Sequence, residues 1–122
     1  MTAQQTLFSI IIPTYSRPAE LANCLEALAR QRLAADSFEV VVVDDGSPVP
    51  PNAVVRRFND RLDISLLVAN HGGPAAARNK GAERALGRFL AFTDDDCRPA
   101  PDWLLALKAC CTALPDHIIG GR

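Results

Sequence analysis

Apolar residues in this chain gather into short, unbroken runs separated by polar turns, and the runs are too continuous for strands with one wet face. Phe8 to Ile12 is rich in β-branched residues and reads as a strand buried on both faces, ended by Pro13. Leu21, Cys24, Leu25 and Leu28 then recur at helical spacing as far as Arg32, behind Ser16 as a candidate N-cap and Pro18 in the first turn. Val40 to Val43 repeats the buried-strand pattern and closes on the turn residues Asp44-Asp45-Gly46-Ser47-Pro48. A weaker helix is predicted from Asn52 to Phe58 and a third strand from Ile64 to Val68. The loop Asn70-His71-Gly72-Gly73-Pro74 leads into an alanine-rich helix reaching Leu86, with Gly87 marking its end. Phe89 to Thr93 is a fourth strand, Pro101 opens a helix packed through Trp103, Leu104, Leu107 and Cys111, and Ile118-Ile119 begins a fifth strand.

The alternation of strand and helix predicts an α/β fold, a mostly parallel sheet with helices on both faces. Ligands of such sheets bind beyond the carboxyl ends of the strands, near the point where the strand order reverses. The polar residues cluster at those ends: Tyr15 after the first strand, Asp44 and Asp45 after the second, Asn70 to Asn79 after the third, and Asp94 to Asp96 after the fourth. Four loops are thus expected to meet on one rim.

Composition narrows the picture. The 122 residues, 48% hydrophobic and 22% charged, fit one soluble globular domain. A formal net charge of -1 gives no global field to draw in nucleic acid, so an anion must be held locally. The apolar runs are too short for a signal peptide core or a membrane span. Cys24, Cys97, Cys110 and Cys111 form no C-x-x-C pair, and neither His71 nor His117 stands at zinc-finger spacing from them. They read as free thiols, which favours a reducing, cytoplasmic setting. The chain closes on Ile119-Gly120-Gly121-Arg122 as a strand starts, which is the expectation for a truncated part of a longer protein.

Three constellations carry candidate chemistry. Side chains alternate along an extended segment, so at the strand tip Asp94 and Asp96 point to one side and Asp95 to the other, and two carboxylates can share Mg²⁺ or Mn²⁺. The bland alternative is a solvated acidic turn. Gly72-Gly73-Pro74-Ala75-Ala76-Ala77-Arg78 joins a tight loop to a helix start, whose exposed N–H groups and Arg78 favour a phosphate. Neither the Gly-Lys-Ser/Thr phosphate loop nor G-x-G-x-x-G is present. In Asp44-Asp45-Gly46-Ser47 a carboxylate can accept from a base N–H or a ribose hydroxyl, or simply close an Asx-turn, and Tyr15 offers a face for stacking. His71 lies in the glycine loop with its role open.

Taken together, FSIIIPTYSR (Phe8 to Arg17), VVVDDGS (Val41 to Ser47), NHGGPAAARNKG (Asn70 to Gly81) and LAFTDDDCRPAPDWL (Leu90 to Leu104) resemble the N-terminal half of a family 2 glycosyltransferase. The resemblance implies the Rossmann-like GT-A fold and binding of a nucleotide-diphosphate sugar with a divalent metal. It further implies transfer of the sugar to an acceptor with inversion at the anomeric carbon. It places Pro13 and Tyr15 in the base pocket, Asp44 as acceptor from the base, commonly uracil, and Arg78 near the phosphates. Asp94 and Asp96 match the acidic positions of the D-x-D motif, Asp96 as direct metal ligand and Asp94 or Asp95 nearer the ribose. Members are generally at least twice this length and take their catalytic base from the second half, so residues 1–122 correspond to the donor-binding part. No residue is assigned as general base, the glycan, lipid or small-molecule acceptor is unspecified, and membrane association can come only from the missing part.

Two other classes compete. A non-catalytic nucleotide-sugar-binding module shares every feature above. A receiver-type phosphate-signalling domain is disfavoured because Lys80 and Lys108 fall on predicted helices rather than after a strand. A haloacid-dehalogenase-like phosphatase carries its acidic run after the first strand, and here it follows the fourth.

Overall fold

Side chains alternate across a strand, so a strand with every position apolar must be covered twice. In the computed structural model, which describes residues 6–113 and 119–120, this is how the first two strands are used. The elements are β1 (Phe8–Thr14), α1 (Pro18–Ala29), β2 (Phe38–Asp44), α2 (Asn52–Arg56), β3 (Ile64–Val68), α3 (Pro74–Arg84), β4 (Phe89–Phe92), α4 (Trp103–Ala113) and β5 (Ile119–Gly120). All strand pairs are parallel, in the order β3-β2-β1-β4-β5. Ile10, Ile12, Val40 and Val42 meet Leu21, Leu25 and Leu28 of α1, Val55 of α2 and Leu104 of α4. On the opposite face Ile11, Val41 and Val43 meet Ala77 of α3. The expected doubly covered sheet is present, and Ile118 lies outside the described residues.

Helix α3 approaches the sheet at near-backbone distance. A Cβ on Gly81 would lie 2.6 Å from Ile11 Cγ2 and 3.1 Å from Val43 Cγ2. One turn earlier Ala77 is 1% exposed. This helix carries the chain from the edge strand β3 across to β4 on the far side of β1, so the strand order reverses between β1 and β4.

Five expected boundaries shift. Pro13 does not end the first strand. Odd-numbered residues of β1 face β4, since Leu7 O accepts from Phe89 N–H and Ile11 O from Thr93 N–H. The N–H that Pro13 lacks therefore falls on the β4 side, where pairing stops at Ile11 and Phe92, while β1 continues along β2 to Thr14 opposite Asp44. Helix α1 ends at Ala29 rather than Arg32, because the N–H groups of Arg30 and Gln31 tighten onto the carbonyls of Ala27 and Leu28. The second and third helices also stop short of Phe58 and Leu86, and β4 stops before Thr93.

Glu39, unmarked by the apolar pattern, is 4% exposed inside β2. Its carboxylate accepts from the Ser9 hydroxyl at 2.5 Å and from the Leu86 N–H at 2.6 Å, and Ser9 Oγ accepts from Gly87 N–H at 2.7 Å. A buried acid is tolerated because it is hydrogen-bonded. No helix among the described residues is long and apolar enough to cross a membrane.

Replacing Gly81 by Ala sets a helix-propensity gain of about 1 kcal/mol against the overpacking of rigid β-branched neighbours, about 1–3 kcal/mol. The 2.6 Å approach makes the second effect larger, so Gly81→Ala is expected to destabilise the protein in urea unfolding. A midpoint at or above wild type would show that α3 can lift off the sheet at little cost.

Candidate functional site

Where β1 and β4 part, the loops beyond them diverge and leave a cleft of about 370 Å³. Pro13, Thr14, Tyr15 and Arg17 line it from the β1 tip, Asp45 from the β2 tip, Pro74 and Arg78 from the start of α3, and Asp94, Asp95 and Asp96 from the β4 tip. Of the residues singled out in the sequence, the cleft gathers Pro13, Tyr15, Arg78, Asp94, Asp95 and Asp96. Asp44 is not among its lining residues.

The acidic run is a turn, not an extension of the strand. β4 stops at Phe92, and Cys97 N–H donates to Asp94 O at 3.1 Å. The turn still separates the three carboxylates. Asp94 and Asp96 have side chains 65% and 54% exposed, whereas Asp95 is 6% exposed and accepts from Thr14 Oγ1 at 2.8 Å. Burial pushes the Asp95 carboxyl above its ordinary range; the Thr14 hydrogen bond and then Arg17 oppose that shift, and Asp96 and Glu20 add to it. Arg17 lies 3.7 Å from Asp95 and 3.6 Å from Asp96, and Arg78 lies 3.8 Å from Asp94. Pairs this long and exposed are weak, so both guanidiniums can turn to another anion at little cost.

Donor atoms of Asp94, Asp96 and Cys97 lie within 4.8 Å of one another. Two exposed carboxylates suit a hard divalent cation that keeps water or phosphate oxygens in its other positions. Beneath the turn, the Cys24 thiol donates weakly to Asp94 O at 3.7 Å. Its pKa is pushed up to about 12 by burial first and by Cys97 and the three aspartates after that, which leaves it an unreactive thiol. All four cysteines are free.

At the β2 tip it is Asp45, not the expected Asp44, that lines the cleft. Asp44 has no exposed surface, and its carboxylate accepts both the N–H and the hydroxyl of Ser47, the Asx-turn reading of this segment. Asp45 faces the cleft. Its Oδ1 accepts from Gly72 N–H at 2.9 Å and its Oδ2 from Gly73 N–H at 3.0 Å. The two glycine amides that precede helix α3 are thus engaged by Asp45, and Arg78 is the residue of this segment that lines the cleft with Pro74. Thr14 and Arg17 were given no role beforehand. Arg17 had a signal, a basic residue at the tip of the first strand where a helix begins.

The sequence model for the family described as Glycosyl transferase family 2 matches residues 9–122. Glycosyltransferase AglE of Haloferax volcanii is 38% identical, the match covering 100% of this chain and 41% of that protein. Among solved structures, S. aureus TarS 1-349 in complex with UDP-GlcNAc superposes with a TM-score of 0.81 at 32% identity, over 88% of this chain and 32% of that one. The mannosyltransferase PcManGT from Pyrobaculum calidifontis, in complex with GDP-Man and Mn²⁺, gives a TM-score of 0.74 at 30% identity, over 83% and 31% of the two chains. This chain therefore spans less than half the length of these relatives.

The raised pKa of Asp95 fixes the sign of a pH effect. An acid that holds its proton more tightly when folded costs stability as pH rises from its unfolded pKa through its folded one. Asp95→Asn keeps an acceptor for Thr14 and carries no charge. It is expected to melt a few degrees above wild type at neutral pH, the gap closing as acidification protonates the wild-type carboxyl. A thermal melt series across pH that shows wild type more stable at neutral pH would reverse the assigned balance of burial and pairing.

Proposed function

The chain belongs to glycosyl transferase family 2, and from that premise we propose that it is the donor-binding part of a metal-dependent enzyme that transfers a sugar from a UDP-sugar with inversion. The observation that carries this reading is the convergence of an aromatic ring, a carboxylate, two guanidiniums and an acidic turn from four loops on one cleft. The complexes of TarS with UDP-GlcNAc and of PcManGT with GDP-Man and Mn²⁺ support it.

In this reading the base lies against Tyr15 and Pro13. Asp45, rather than Asp44, accepts from the base N–H, because Asp45 alone of the pair faces the cleft and retains unused lone pairs. The ribose passes Asp95, whose own contact with Thr14 holds it in place. The diphosphate reaches Arg78 and Arg17, which exchange their long pairs with the aspartates for phosphate oxygens. Asp94 and Asp96 would hold Mg²⁺ or Mn²⁺, Asp96 as a direct ligand, and the cation when bound supplies neutralisation of charge on the departing diphosphate. No residue described above is assigned as the base that deprotonates the acceptor hydroxyl.

Calorimetry of UDP with and without Mn²⁺ tests the reading. Wild type is expected to bind UDP at least tenfold more tightly with the metal, and Asp96→Ala is expected to lose that increment while matching wild type without metal. Equal affinities of the two proteins in Mn²⁺ would overturn the assignment of the acidic turn.

A further inference from the structure

His71 belongs to none of the roles above, yet it touches two of the residues that carry them. Its ring packs against Tyr15 with centroids 4.7 Å apart and planes tilted by 46°. Its Nδ1 lies 2.9 Å from the main-chain oxygen of Asp45 and 3.2 Å from Asp45 Oδ2. A carbonyl oxygen can only accept, so Nδ1 carries the proton and donates. The imidazole thus joins the β1 tip to the β2 tip from a residue of the loop after β3.

The loop itself is pressed onto the β2 tip. Gly46 sits at φ +83°, and a Cβ there would come within 2.8 Å of His71 N. The neighbouring Gly72 and Gly73 amides are held by Asp45. His71 therefore starts from a fixed backbone position, although its side chain is 65% exposed. It does not line the cleft, whereas Tyr15 and Asp45 both do. Its contact with Tyr15 supports that ring from outside the cleft.

We propose that His71 is a positioning residue for the nucleoside base, setting the spacing between the Tyr15 ring and the Asp45 carboxylate before a donor arrives. The inference rests on the reading above that these two residues receive the base. A tyrosine 43% exposed at a loop tip has free rotamers, and holding one of them in advance removes an ordering cost from binding. The effect must therefore fall on the base-dependent part of affinity and spare the diphosphate, whose partners Arg17, Arg78, Asp94 and Asp96 share no hydrogen bond or ion pair with His71.

The test is calorimetry in Mn²⁺ with two probes, UDP and inorganic pyrophosphate, on wild type, His71→Ala and His71→Asn. His71→Ala is expected to weaken UDP about tenfold, the size of one aromatic contact and one hydrogen bond, and to leave pyrophosphate within about twofold. His71→Asn, which can place an amide N–H where Nδ1 stands, is expected to recover part of the loss. Unchanged UDP affinity in His71→Ala overturns the inference while leaving the base site intact. An equal loss for both probes overturns it as well, by showing a general structural role. A wild type that binds pyrophosphate as tightly as UDP overturns the base-site reading itself, and the inference with it.

Discussion

One missing N–H organises the binding edge of this sheet. Pro13 sits on the side of β1 that faces β4, where it cannot donate, and the pair separates there while β1 continues along β2. Strands that stayed paired to their tips would leave no cleft. Because β1 keeps one partner and loses the other, Thr14 is carried onward to meet Asp95 across 81 residues of sequence. That hydrogen bond spans the gap and limits how far the two tips can drift.

Charge in the cleft is arranged in two layers. The inner carboxylate, Asp95, is held by a hydroxyl and stands 3.7 Å from the Arg17 guanidinium. The outer pair, Asp94 and Asp96, is exposed, and each contacts an arginine only at long range. Burial makes the inner acid a structural element whose ionisation costs free energy, whereas solvent keeps the outer acids inexpensive and available. Three consecutive residues of one type thereby come to stand in two different environments.

The fold was legible because Ile10 to Ile12 of β1 and Val40 to Val43 of β2 are unbroken apolar runs that demand cover on both faces. β3 matches its sequence pattern residue for residue. Alanine and glycine on α3 are what allow its close approach to the sheet, at Ala77 and Gly81. What stayed hidden depends on geometry beyond strand ends. Period-two reasoning separated Asp95 from Asp94 and Asp96, but a turn does the separating. The same gap explains the choice of Asp44 over Asp45, since which of two adjacent carboxylates turns inward is decided by the Ser47 contacts. Glu39 was invisible for a related reason: its partners Ser9 and Leu86 lie 30 and 47 residues away.

Two acids at opposite ends of the second strand hold the third helix like a strut between end stops. Asp45 fastens its entry through the Gly72 and Gly73 amides, and Glu39 fastens its exit through Leu86. Six residues of strand span about 20 Å, and the 11 residues of α3 span about 17 Å, so strand and helix are matched in length. Adding or deleting one residue in this helix would turn everything after it by about 100° and would break one of the two fastenings. Evolutionary length variation should accordingly be excluded from this segment and accommodated instead at residues 48–50, beyond the Ser47 contacts, where the chain is largely exposed and no such rod fixes the span.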